Sequence, residues 1–390
     1  MGLSEFRIEF DNLLKLYFPG DIITGFVFVV TNNNIKKIRD ISIQFKGVAN
    51  TQWKVNMAVA NNQGGSSISS IQITGNENYF SVKHSLLGLT SGSSTELNAG
   101  VHKYRFSFTL PENLPSSFEH CCGHIRYTAK AIVHRNTWLC DHEVKVPFTV
   151  VSHFDLNHYP AALEPYEHKI SKSFFSLRCG TAPLKVVTKM PVKGYVPGQT
   201  MLITVIVENH SCVLIETIKL SLQKIIIFRT NEFHKTTSRT HRISIEVANT
   251  YCGPVEPRDD AIFEKSLLIP SLPPSNLTHC KIIDLKYKLK VEARTHGWHT
   301  NLDGSDDVFI GTIPLESFQS SILPPVDLIS EPPAYNSLVT LSTPDYLNTP
   351  PPSYEEAICL SGEQQIEDNQ NTVENDINFV PRYLVYNFTS

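Results

Sequence analysis

At 390 residues the chain is long enough for two or three domains with sizeable cores. Apolar residues make up 41% and charged residues 18%, which excludes a wholly disordered polypeptide, and no apolar run reaches the ~18–20 residues of a membrane-spanning helix. The net charge of −4 hides a split: from Glu316 onward eleven acids stand against one base, Arg382, leaving residues 1–315 at +6.

A mildly basic body suits acidic or phosphorylated peptides or an anionic lipid surface, and nucleic acid is not an expected partner. The opening Met-Gly-Leu-Ser-Glu-Phe-Arg has neither the basic nor the apolar region of a secretory leader. The eight cysteines, at 121, 122, 140, 179, 212, 252, 280 and 359, form no CxxC pair. Reduced cytosolic thiols are therefore expected.

In chain order, period-two alternation is the strongest local signal. Phe6, Ile8 and Phe10 alternate with Arg7 and Glu9, followed by the turn Pro19-Gly20-Asp21 and a strand-sized apolar run from Ile22 to Val30. Tyr104, Phe106, Phe108 and Leu110 alternate with Arg105, Ser107 and Thr109. Tyr287, Leu289 and Val291 alternate with Lys286, Lys288 and Lys290. One apolar and one polar face is the pattern of a half-buried antiparallel sheet. With no long amphipathic helix, the predicted class is all-β, built of immunoglobulin-like sandwiches.

An internal repeat sets the domain count. Tyr17-Phe-Pro-Gly-Asp recurs as Tyr195-Val-Pro-Gly-Gln. Leu110-Pro111…Pro115-Ser116 recurs as Ile269-Pro270…Pro274-Ser275, and Ile125-Arg-Tyr-Thr-Ala-Lys-Ala as Leu285-Lys-Tyr-Lys-Leu-Lys-Val. The order is the same in both halves, as a duplicated sandwich requires. The predicted domains are 1–152 and 181–315, with a connector at 153–180 and a tail at 316–390.

The tail is rich in Pro, Ser, Asn and acids and is not expected to pack into a domain. It holds Pro332-Pro333-Ala334-Tyr335 and Pro351-Pro352-Ser353-Tyr354. A proline pair favours polyproline II, which loses little entropy on docking into an aromatic groove. The tyrosine adds a large anchor with few rotamers. Pro332, Pro333, Tyr335, Pro351, Pro352 and Tyr354 are therefore the expected contacts for WW domains. The alternative is a proline-rich spacer with incidental tyrosines.

Two further clusters stand out. His120-Cys121-Cys122-Gly123-His124 offers four soft ligands in five residues, but neighbours on a strand point to opposite faces, so no metal is expected there. His296, His299, Asp303, Asp306 and Asp307 read as a polar hairpin. No GxSxG, GxxxxGK[ST], HExxH or GxGxxG occurs, so no catalytic residues, cofactor or enzymatic activity are expected.

These residues also carry a resemblance. Phe6-Arg-Ile-Glu-Phe-Asp, Tyr17-Phe-Pro-Gly-Asp and Gly123-His-Ile-Arg-Tyr-Thr-Ala-Lys130 are similar to the N-terminal domain of the arrestin domain-containing proteins, the α-arrestins. Gly194-Tyr-Val-Pro-Gly198, Val207-Glu-Asn209 and Ile310-Gly-Thr-Ile-Pro-Leu315 are similar to the C-terminal domain. Residues 61–78, rich in Asn, Gly and Ser, depart from a compact hairpin and read as a long loop. The resemblance implies an adaptor that brings HECT-type ubiquitin ligases to membrane receptors or transporters. It would work in the cytoplasm with recruitment to the plasma membrane and endosomes, peripheral membrane association being compatible with this. Two alternatives come with the family: a thioredoxin-linked redox regulator acting through Cys252, and a sorting-coat subunit acting without a ligase. A structural thiol is the competing reading of Cys252.

Overall fold

The structure is a computed structural model and describes residues 3–60, 66–88, 95–135, 141–176, 180–231, 240–316, 379–386 and 388. In the first strand, β1 (Glu5–Phe10), Ile8 and Phe10 are buried while Glu5 and Glu9 face solvent, as the alternation predicts. β1 pairs with β3 (Ile22–Thr31), which pairs with β7 (Gly100–Thr109), all antiparallel. The second sheet runs β2 (Leu16–Tyr17), β10 (His142–Val150), β9 (Gly123–Arg135), β4 (Ile35–Ala60), β5 (Ser66–Gly88). Two short strands join it, β6 (Thr95–Leu97) on β4 and β8 (Phe118–His120) on β9. The core is aromatic: Phe45 stacks on Phe108 at 4.6 Å, and Tyr17 meets Phe148 edge-on at 5.8 Å.

The second domain repeats the plan. One sheet is β11 (Tyr166–Ser176), β12 (Gly180–Met190), β14 (Thr200–Asn209), β17 (Asp259–Leu268). The other is β13 (Gly194–Tyr195), β19 (Leu302–Ile310), β18 (Ile283–Thr295), β15 (Ile215–Arg229), β16 (Thr240–Cys252). Its core is more aliphatic, with Val186, Val205, Val207, Leu220, Leu222, Leu289 and Val291 all buried.

The duplication extends to single hydrogen bonds. The Pro-Gly turn places Gly20 and Gly198 both at φ +88°, where a Cβ is strained. The Phe18 amide donates to Asp21 Oδ2 at 2.7 Å, and the Val196 amide to Gln199 Oε1 at 3.2 Å. Tyr17 then pairs in parallel with Val150, and Tyr195 with Ile310. The Tyr127 hydroxyl donates to Pro115 O at 2.7 Å, and Tyr287 to Pro273 O at 2.8 Å. Ser117 Oγ accepts from the Val150 amide at 3.0 Å, and Ser275 Oγ from the Ile310 amide at 2.9 Å. Pro115 thus corresponds to Pro273 and Ser117 to Ser275, one residue away from the alignment the sequence suggests. The hydrogen bonds, not the prolines alone, set the register.

Two segments differ from expectation. Residues 166–176, assigned to the connector, form β11, paired with β12 from Tyr166↔Met190 to Ser176↔Gly180. Their alternation is real but muted: Tyr166 and Phe174 are buried, yet Ser and Lys fill most positions between. The connector itself is short, a single 3-10 turn (Leu156–His158) and α1 (Pro160–Leu163). Residues 66–78, read as loop, belong to β5 and pair with β4, with Trp53↔Ile73 and Val55↔Ile71 in register. Ladder bonds to a partner strand override the weak strand preference of Asn and Gly. Among the described residues no helix is long and apolar enough to cross a membrane.

Candidate functional site

Pro332, Pro333, Tyr335, Pro351, Pro352 and Tyr354 lie outside the described residues. The structure does fix the two points between which they run. At the near end Leu315 is buried, and the Glu316 amide donates to Asn157 Oδ1 at 3.0 Å. At the far end the chain is described again from Phe379 and lies against the body.

That far segment touches both domains. On the first, the Arg382 amide donates to Thr149 Oγ1 at 3.3 Å and the Tyr383 hydroxyl to Ser117 O at 3.0 Å. On the second, the Tyr386 amide donates to Pro197 O at 3.0 Å and its hydroxyl to Thr312 O. Tyr386 and Phe388 pack against the core, their ring centroids 6.1 Å apart. A Cβ on Gly198 would come within 2.0 Å of Tyr386 O, whereas at Gly20 it would meet only Glu112 Cγ at 4.0 Å. The two turns are alike, but among the described residues only the second meets the C-terminal segment. Thr312 is also where the connector joins, since the Phe154 amide donates to Thr312 Oγ1 at 2.7 Å. The expectation of a tail that does not pack is therefore corrected for residues 379–386. The apolar run Phe379-Val-Pro-Arg-Tyr-Leu-Val-Tyr in a polar stretch is the signal that marks them.

Elsewhere the domains meet through Thr51 Oγ1, which donates to Arg229 O at 2.9 Å, and through Trp53 stacked on His241 at 5.9 Å. On the first domain Lys46, Asn50, His124, Arg126, Thr128 and Lys145 line a shared depression over β4, β9 and β10. There Arg126 holds Glu119 with two hydrogen bonds of 2.8 Å.

The cysteines separate by environment. Cys252 closes β16 opposite Ile218 and is 6% exposed. Burial pushes its thiol up to about 11, so it is protonated at neutral pH, which favours the structural reading over the redox one. Cys121 is exposed, and its thiol is pulled down to about 4 by hydrogen bonding first with Cys122 and then with His120. Cys212 is disulfide-bonded, a departure from the expectation of reduced thiols. Cys121, Cys122, Cys252 and Cys280 are not disulfide-bonded. The polar hairpin is spent internally: His296 Nδ1 meets Glu216 at 2.6 Å, Asp307 pairs with Lys288, and Asp303 with Lys290.

Comparison with known proteins agrees with this architecture. Residues 6–157 match the family described as "Arrestin (or S-antigen), N-terminal domain", and residues 181–315 match "Arrestin (or S-antigen), C-terminal domain". The chain is 30% identical to Arrestin domain-containing protein 17 of Caenorhabditis elegans, over 86% of its own length and 79% of that protein's. It is 27% identical to human Arrestin domain-containing protein 1, over 87% and 71% of the two chains, and 28% identical to human Arrestin domain-containing protein 4, over 86% and 77%. With its two duplicated sandwiches and family matches covering both, the chain belongs to the arrestin domain-containing proteins, the α-arrestins, a family of adaptors.

Proposed function

We propose that this chain links membrane receptors or transporters to WW-domain ubiquitin ligases of the HECT type, so that the cargo is ubiquitinated, internalised and sorted at endosomes. The observation that carries the reading is the pair of Pro-Pro-x-Tyr sequences between Glu316 and Phe379, in a chain whose body is an arrestin-fold adaptor. Tyr335 and Tyr354 are 19 residues apart, and a flexible linker of that length spans about 20–25 Å. Two such ligands reach tandem WW domains of one ligase, and avidity then offsets weak single sites. The work would be done in the cytoplasm, with recruitment to the plasma membrane and endosomes.

A peptide of residues 328–358 tests bivalent binding against a pair of tandem WW domains. It is expected to bind at least about tenfold more tightly than its Tyr335→Ala or Tyr354→Ala form. Equal affinities contradict bivalent engagement.

A further inference from the structure

Outside the tail, the described residues bring one set of soft ligands together. β8 and β9 pair as far as His120↔Gly123, so Cys121 and Cys122 form a two-residue turn. The strand argument against convergence therefore does not hold here: a turn, unlike a strand, can send adjacent side chains to one side. Cys121 Sγ lies 3.8 Å from Cys122 Sγ and 3.5 Å from His120 Nδ1. One ligand atom from each residue falls within 4.8 Å of the others.

Two of these spacings, sulfur to sulfur and Cys121 Sγ to His120 Nδ1, match a coordination sphere. A tetrahedral zinc ion with Zn–S of about 2.3 Å and Zn–N of about 2.0–2.1 Å separates two sulfurs by about 3.8 Å and a sulfur from a nitrogen by about 3.6 Å. The Cys122 amide donates to His120 Nδ1 at 3.1 Å, and Cys121 Sγ lies beside the ring, 3.5 Å from Nδ1 and 3.9 Å from Nε2, so the imidazole must turn to aim a nitrogen at a metal held by the thiols. Binding would exchange that hydrogen bond for a coordinate bond. The frame is held independently: the Gln52 amide donates to Cys122 O at 2.9 Å, and the His120 ring rests 5.3 Å from Phe228 of the second domain. Cys121 is exposed and provides the way in.

We propose that this turn binds zinc through His120, Cys121 and Cys122, leaving the fourth position open to solvent or to a ligand from a partner. Two thiols and an imidazole select zinc over the hard ions calcium and magnesium. The site lies where the first domain meets Phe228, so an occupied site would also brace the domain junction.

The test titrates the full chain, metal-free and kept reduced by a phosphine, with cobalt(II) as a spectroscopic probe and then with zinc. Wild type is expected to take up cobalt with a thiolate-to-cobalt charge-transfer band that zinc bleaches. In Cys121→Ser/Cys122→Ser the band disappears and zinc affinity falls by about a hundredfold or more. In His120→Gln the band persists, with affinity lowered by about tenfold. Serine is nearly isosteric with cysteine, and circular dichroism checks that each variant is folded. Absence of the band in wild type, or the same band and affinity in the folded double-serine variant, overturns the proposal. The latter result would assign the binding to other cysteines.

Discussion

Tyr127 and Tyr287 show how one side-chain hydroxyl locks each sandwich. Both rings are fully buried, and each hydroxyl satisfies a proline carbonyl 12 or 14 residues upstream. Phenylalanine keeps the packing but strands that carbonyl. Tyr127→Phe and Tyr287→Phe are each expected to cost about 1–2 kcal/mol, by similar amounts, in urea denaturation. Cys252 provides a second residue-scale prediction. In the folded protein at pH 7 it should resist maleimide while exposed Cys121 reacts, and unfolding should remove the protection. Its raised pKa also has a sign. Between about 9 and about 11 the folded state holds a proton that the unfolded state has released, so stability falls as pH rises through that window. Replacing Cys252 with Ala should flatten that part of the profile. The repeated tyrosines and prolines are legible because bulky buried rings and Pro-Gly turns are distinctive in sequence. The partner of each hydroxyl is not, because it depends on how a distant loop folds back. The His-Cys-Cys cluster is visible in the sequence but its convergence is not, for a related reason: whether two neighbours diverge or converge depends on where the strand ends.

Among the elements, the two Pro-Gly turns form an internal comparison. Gly20→Ala and Gly198→Ala both force a Cβ onto a backbone at φ +88°, a strain of about 1–2 kcal/mol. Only at residue 198 does that Cβ also strike Tyr386 O. Gly198→Ala is therefore expected to raise hydrogen exchange across residues 379–386, while Gly20→Ala leaves it unchanged. Equal exchange in both variants would contradict the docking described for Tyr386. Strands with clean alternation, such as β1 and β7, can be read from sequence. β11 and the start of β5 cannot, since Ser, Lys, Asn and Gly interrupt their apolar face, and pairing with β12 and β4 supplies what local preference lacks.

For the whole molecule, the C-terminal segment and the connector meet at Thr312, so the far segment is fastened across the domain junction. Residues 317–378, which contain both Pro-Pro-x-Tyr motifs, run between two fixed points, Glu316 and Phe379. Ending the chain at residue 378 should lower the melting temperature by a few °C, through lost contacts with both domains, while leaving WW-domain binding in place. The doubled all-β plan is legible from a collinear repeat; the fastening is not, because the acidic composition of the tail masks one short apolar run. The adaptor account is tested most directly by proximity labelling in cells, comparing wild type with Tyr335→Ala/Tyr354→Ala. HECT-type ligases should disappear from the neighbours of the double variant while membrane cargo stays. Ligases retained at wild-type levels would contradict the account.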